Sequence, residues 1–218
     1  MKCLTVAAAA FLAAVTFSQG AHALVWQETD AGDLPDTAEI IPGGSMPLTG
    51  ITGFLQATAF VENGLVSKYV YQVDLFRIQV SSASNFSATV QNPQFDSALF
   101  LFDATGHGVL ASDDAIGVSG AFATGSLTQG GTYYLGVALG GYQAMDANGV
   151  DIFSGGAATG PVASWHTGLD AFSDNAQSYA ITLTGATVAA VPEPGAALLM
   201  GAGLAGLAVL RRRRRPNA

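Results

Sequence analysis

The chain has 218 residues, with 16 Asp or Glu against 8 Lys or Arg, a formal net charge of −8 and a single cysteine, Cys3. That balance repels phosphate backbones, so nucleic-acid binding is excluded as a function. One cysteine cannot build an internal disulfide framework, so stability must come from a packed core.

Residues 1–23 carry one basic residue, Lys2, an apolar stretch from Leu4 to Phe17, and the tripeptide Ala21-His22-Ala23. This is the layout of a secretory signal helix with an A-x-A site, cut after Ala23. Cys3 falls in the removed part and is too early to be a lipobox cysteine. The stretch 24–190 then suits one domain. It holds 15 carboxylates against Lys68 and Arg77, a net of −13 that the arginine-rich end of the chain conceals. Such a surface favours solubility and cation binding, and repels acidic polysaccharide unless divalent ions bridge.

Within 24–190, short apolar runs alternate with Gly, Asn, Asp and Ser clusters, an all-β pattern. Leu24 to Thr52 reads as a loop-rich entry with one strand. KYVYQVDLFRIQV, 68–80, reads as a half-buried strand, with Phe76, Ile78 and Val80 on one side and Arg77 and Gln79 on the other. Phe86, Ala88 and Val90 repeat the alternation and predict a hairpin around Ser82 to Asn85. Leu99 to Phe102 is apolar on both faces, as in a central sandwich strand. Asp103 to Gly106 predicts a turn and Val109 to Ala111 a return strand. A turn at Gln129 to Gly131 precedes a strand over 132–139, and Ser178 to Val188 supplies a last strand with Tyr179, Ile181 and Leu183 inward. The segment 142–177 is long, polar and glycine-rich.

The end of the chain, 191–218, has three parts. Val191, Pro192, Glu193 and Pro194 form an extended hinge, since proline cannot continue a helix backwards. Residues 195–210 contain no charge and predict a single hydrophobic helix about 24 Å long. Arg211, Arg212, Arg213, Arg214 and Arg215 follow at once and hold their end on the cytoplasmic side of a thin bilayer. Motif, helix and arginines in this order resemble the PEP-CTERM sorting signal of Gram-negative envelope proteins. The resemblance implies an exosortase-type enzyme that cuts near the motif, a transient hold in the inner membrane, and a secreted product at the cell envelope or extracellular surface. It also implies partners in exopolysaccharide or biofilm. A plain C-terminal anchor is the alternative.

Four segments of the central region, VDLFRIQV at 73–80, DSALFLFDATGHGVLASDD at 96–114, GGTYYLGV at 130–137 and SYAITL at 178–183, resemble in their order the bacterial pre-peptidase C-terminal domain. This implies an antiparallel, jelly-roll-like β-sandwich with a core over about 69–185, interrupted by the insertion 142–177. The family's Asp-x-Asp is here Gln72-Val73-Asp74, and its second acidic segment keeps Asp96 but has Ala98 where another aspartate is usual.

Candidate sites follow from residue type. Asp74, Asp96, Asp113 and Asp114 are hard-oxygen candidates for calcium at one end of a sandwich; the competing role for Asp103, Asp113 and Asp114 is service in turns. Asp146-Ala147-Asn148-Gly149-Val150-Asp151 looks like part of a calcium loop, but Ala157 stands where the bidentate acid belongs, which favours an Asn-Gly turn. Trp165 and Tyr142, with Phe153, either form a sugar-stacking platform or cover the edge of the core. His107 and His166 have no metal-ligand spacing, and no Gly-x-Ser-x-Gly elbow is present. The expectation is a non-enzymatic matrix or exopolysaccharide module. A calcium-assisted carbohydrate-binding adhesin and a secreted hydrolase are the alternatives.

Overall fold

The computed structural model describes residues 23–42, 44–91, 95–113, 119–155, 160–167 and 176–188, without the side chains of 60, 67–69 and 71. The expected signal segment up to residue 22, Asp114 and the whole of 191–218 lie outside them. Among the described residues the regular structure is strands and one 3-10 turn, Ala83–Asn85, and no helix is long and apolar enough to cross a membrane.

The strands are β1 (Leu24–Gln27), β2 (Glu39–Ile40), β3 (Leu48–Leu55), β4 (Ala57–Glu62), β5 (Leu65–Tyr71), β6 (Asp74–Val80), β7 (Ser87–Val90), β8 (Ser97–Asp103), β9 (Gly108–Asp113), β10 (Ala121–Phe122), β11 (Gly131–Leu139), β12 (Tyr142–Met145), β13 (Ser164–Thr167), β14 (Gln177–Thr184) and β15 (Ala186–Val188). One sheet runs β1-β3-β14-β7-β10 and the other β15-β6-β11-β8-β9, with β2 also on β6. The all-β expectation is met, and the central pairs are antiparallel; short parallel pairs, β1 on β3 and β2 on β6, are added at the edges.

The alternation of apolar residues fixes which face each strand buries. Phe76, Ile78 and Val80 of β6, Leu135 of β11 and Leu99 and Leu101 of β8 share the inner face of the second sheet, and all are essentially inaccessible. Ile51, Tyr179, Ile181, Leu183, Ala88 and Val90 line the first sheet. Each large apolar side chain so buried contributes about 1.5–3 kcal/mol. β8 is buried on both faces because Phe100 and Phe102, on its outer side, are covered as well.

Four sequence expectations are corrected. Residues 68–80 do not form one strand: the chain breaks at Gln72-Val73, and β5 instead joins β4 in a separate two-stranded sheet closed by Asn63 (φ 51) and Gly64 (φ 79), the positive pair of a tight hairpin turn. β6 and β7 do not pair, since they belong to opposite sheets and Ala83–Asn85 carries the chain between them. The last strand is two, β14 in the first sheet and β15 in the second. The crossing occurs at Gly185 (φ 67), where a Cβ would meet Ser82 O at 2.7 Å and Phe86 N at 2.8 Å. The entry segment likewise contains three strands rather than one.

Candidate functional site

Two polar places stand out against this frame. The first lies between the sheets. Asp74 opens β6 with the parity of Phe76 and Ile78, so its carboxyl points inward and is only 3 % exposed. The Tyr179 hydroxyl, reaching across from β14, donates to Asp74 Oδ2 at 2.7 Å. The Tyr179 phenol passes over Gly53, where a Cβ would collide with it, and its ring meets Phe76 edge-on at 6.5 Å. Burial pushes the Asp74 carboxyl up to about 7; the Tyr179 bond opposes this, and the charges of Glu28 and Glu39 add to it. Burial and the neighbouring Asp74 charge raise the Tyr179 hydroxyl too. Beside them, buried Glu39 of β2 accepts from Trp26 Nε1 of β1 at 3.1 Å and from Thr29 N and Oγ1 at 3.2 and 2.5 Å. Both contacts join one sheet to the other, so they act as clasps.

The second place is a cleft of about 250 Å³ at the same end of the second sheet, lined by Phe100, Ala111, Ser112, Asp113, Tyr142, Gln143, Asp151 and Phe153. β12 and β13 pair antiparallel and lay the inner side of their hairpin against the outer face of β8. Trp165 packs edge-on against Phe100 at 5.0 Å and Phe102 at 6.0 Å, and Phe153 meets Phe100 at 5.8 Å. Phe100 and Tyr142 are 4 % and 7 % exposed and form the apolar floor. The rim is acidic. Asp113 Oδ2 accepts from Gly141 N at 2.9 Å, and Asp151 Oδ1 accepts from Phe153 N at 2.9 Å, so both carboxylates are oriented by backbone.

Of the calcium candidates, the three within the described residues, Asp74, Asp96 and Asp113, are not all brought together. Asp74 faces Tyr179 inside the sandwich, two strands from β8, and is raised toward the protonated form, which suits a clasp and not a cation ligand. Asp96 and Asp113 do converge on one dipeptide: a Cβ on Gly140 would sit 2.6 Å from Asp96 Oδ2, and Gly141 donates to Asp113. Asp114 lies outside the described residues. Among the described residues no group of three or more His, Cys, Asp or Glu is placed to hold a metal. Asp146 closes an Asx turn, accepting from Asn148 N at 2.8 Å and Val150 N at 3.0 Å, as the Asn-Gly alternative has it. Asp103 does the same for Thr105 and His107; burial raises its carboxyl, but the bonds from Thr105 and His107 outweigh this and hold it below the usual value. Tyr142 lines the cleft, whereas Trp165 covers the sheet and donates its indole N–H to Asp33 O at 2.7 Å. His166 stands exposed opposite Gln143. The sorting residues, Val191 to Pro194 and Arg211 to Arg215, lie outside the described residues.

Sequence reasoning missed Tyr179 as the partner of Asp74, Glu39 as the acceptor for Trp26 and Thr29, and Asp151 as a rim carboxylate. The parity of Asp74 with Phe76 was the available signal for its inward position. Nothing local announces that Asp151 joins Asp113 in lining the cleft, because that depends on how the hairpin folds back.

The arrangement defines a class: a two-sheet β-sandwich with a small lateral cleft. Family models narrow it. The model described as Bacterial pre-peptidase C-terminal domain matches residues 72–139, and the model described as PEP-CTERM protein-sorting motif matches residues 190–215. Both resemblances seen in the sequence are thus borne out; the 72–139 match takes in three of the four quoted segments and leaves SYAITL beyond it. No curated protein and no solved structure matches the chain. The sorting motif marks an exosortase-sorted, secreted protein directed to the envelope, and neither matched family model describes a catalytic domain.

Proposed function

We propose that the stretch 24–190 works, after processing, as a non-enzymatic matrix module that associates with extracellular polysaccharide. The observation that carries this is the cleft, with aromatic floor and carboxylate rim, on a domain bearing a sorting motif. Aromatic rings offer flat apolar faces to a sugar ring, and oriented carboxylates accept from its hydroxyls. The tail serves as a temporary handle, held in the inner membrane of a Gram-negative cell until an exosortase-type enzyme cuts near Pro192-Glu193-Pro194.

The test is twofold. Intact-mass measurement of the secreted protein, from hosts with and without the processing enzyme, should show loss of Arg211–Arg215 only with the enzyme. The processed protein should also sediment with exopolysaccharide isolated from the same cells. Arginines retained in the presence of the enzyme would overturn the handle, and protein left wholly in the supernatant would overturn the matrix role.

A second reading adds calcium, favoured by the meeting of Asp96 and Asp113 at Gly140-Gly141. A hundredfold excess of calcium over its Kd would then stabilise the protein by about 2.7 kcal/mol. Identical melting in calcium and in chelator removes it.

A further inference from the structure

The charge of the cleft says more about its occupant than its size does. Of the lining residues, Asp113 and Asp151 are carboxylates and none is Lys, Arg or His. Each carboxylate spends one lone pair on a backbone N–H, at Gly141 and Phe153, out of about four that a carboxylate offers. Arg77 shares the outer face but stands on β6, three strands from β9, roughly 14 Å at the usual strand spacing. His166, opposite Gln143 on the hairpin, carries charge only when protonated. The floor adds Phe100, Tyr142 and Phe153, whose ring faces attract cations as the carboxylates do. The volume of about 250 Å³ is the space of roughly eight waters, enough for one ring and too little for a buried chain.

We propose that the cleft binds a single sugar residue carrying a protonated amine, a deacetylated hexosamine within a longer glycan. This rests on the carbohydrate reading above and goes beyond it in naming the charge of the ligand. A uronic acid would set its carboxylate against two others with no cation between them. An N-acetylated sugar keeps the ring but loses the ammonium, and with it the attraction to both carboxylates and the aromatic floor.

The experiment is a calorimetric or NMR titration of the processed protein, in chelator-containing buffer at pH 6, with three probes of equal length: chitosan oligosaccharide, its fully N-acetylated counterpart, and an oligouronate. The expected order is chitosan tightest, by about fivefold over the acetylated probe, with the advantage shrinking as salt is raised. Asp113→Asn and Asp151→Asn keep an oxygen for the Gly141 and Phe153 N–H groups while removing charge. Each should lower affinity for chitosan by more than it lowers affinity for the acetylated probe, so that the ratio between the two falls toward one. Equal binding of chitosan and its acetylated form would overturn the amine and leave the carbohydrate role standing, as would preference for the uronate. If none of the three binds, the cleft is not a sugar site and both proposals lose it.

Discussion

The sharpest quantitative consequence concerns Asp74, which is buried, bonded to Tyr179, and raised from 3.8 to about 7. Its folded-state pKa lies above its unfolded value, so its contribution to stability is whole below about pH 4 and is lost as pH climbs through 7. One pKa unit is worth 1.36 kcal/mol, so the full loss is about 4 kcal/mol, of which about 2.5 falls between pH 5 and pH 8. For a domain of this size that is roughly a 5–10 °C fall in Tm. In Asp74→Asn the amide oxygen still accepts from Tyr179 and nothing ionises. Urea unfolding of the purified wild type and variant at pH 5, 6, 7 and 8 is the assay. The stability of Asp74→Asn relative to wild type should rise by about 2.5 kcal/mol across that interval. A difference that stays constant would refute the assignment of a protonated, buried carboxyl at this position.

Other outcomes follow from neighbouring contacts. Tyr179→Phe removes the hydroxyl that donates to the Asp74 carboxyl and should cost about 2 kcal/mol in chemical unfolding at pH 6. Gly53→Ala forces a methyl into the Tyr179 phenol and to 2.8 Å from Glu28 Cβ, an overpacking that should cost about 1–3 kcal/mol by the same measurement. Phe102→Ala opens the layer beneath Trp165 and Phe153 and should cost about 3–5 kcal/mol, with a loss of tryptophan fluorescence structure on the way.

Much of the sandwich was legible because period-2 alternation survives in β6, β7, β11 and β14, and because Leu99 to Phe102 has no polar face to turn outward. The breaks at Gln72-Val73 and Gly185 were hidden for the opposite reason. At Gly185 the alternation slips by only one position, from Tyr179, Ile181 and Leu183 to Ala186 and Val188, and at Gln72-Val73 no glycine or proline punctuates the run, so pairing with different sheets is what divides them. The β4–β5 hairpin was announced by Asn63-Gly64 between apolar runs, and was missed because a longer run downstream claimed Lys68 to Tyr71. At the site, residue types pointed to carboxylates and aromatics, but which of them meet is a matter of tertiary folding. Asp74 and Asp113 sit at the same end of one sheet yet on strands separated by β11 and β8, so shared acidity said nothing of shared function.

β15 runs antiparallel to β6, from the level of Val80 toward that of Asp74, the end where β9 delivers Asp113. Only six residues, 189–194, separate its last residue from the uncharged segment after the hinge, and the seven Cα steps from 188 to 195 reach at most about 25 Å. The last described strand thus heads toward the cleft-bearing end, and whatever holds the uncharged segment keeps it within that reach of Val188. If the tail is held in the membrane as proposed above, cutting at the hinge changes more than address: it frees the sandwich from a tether of that length.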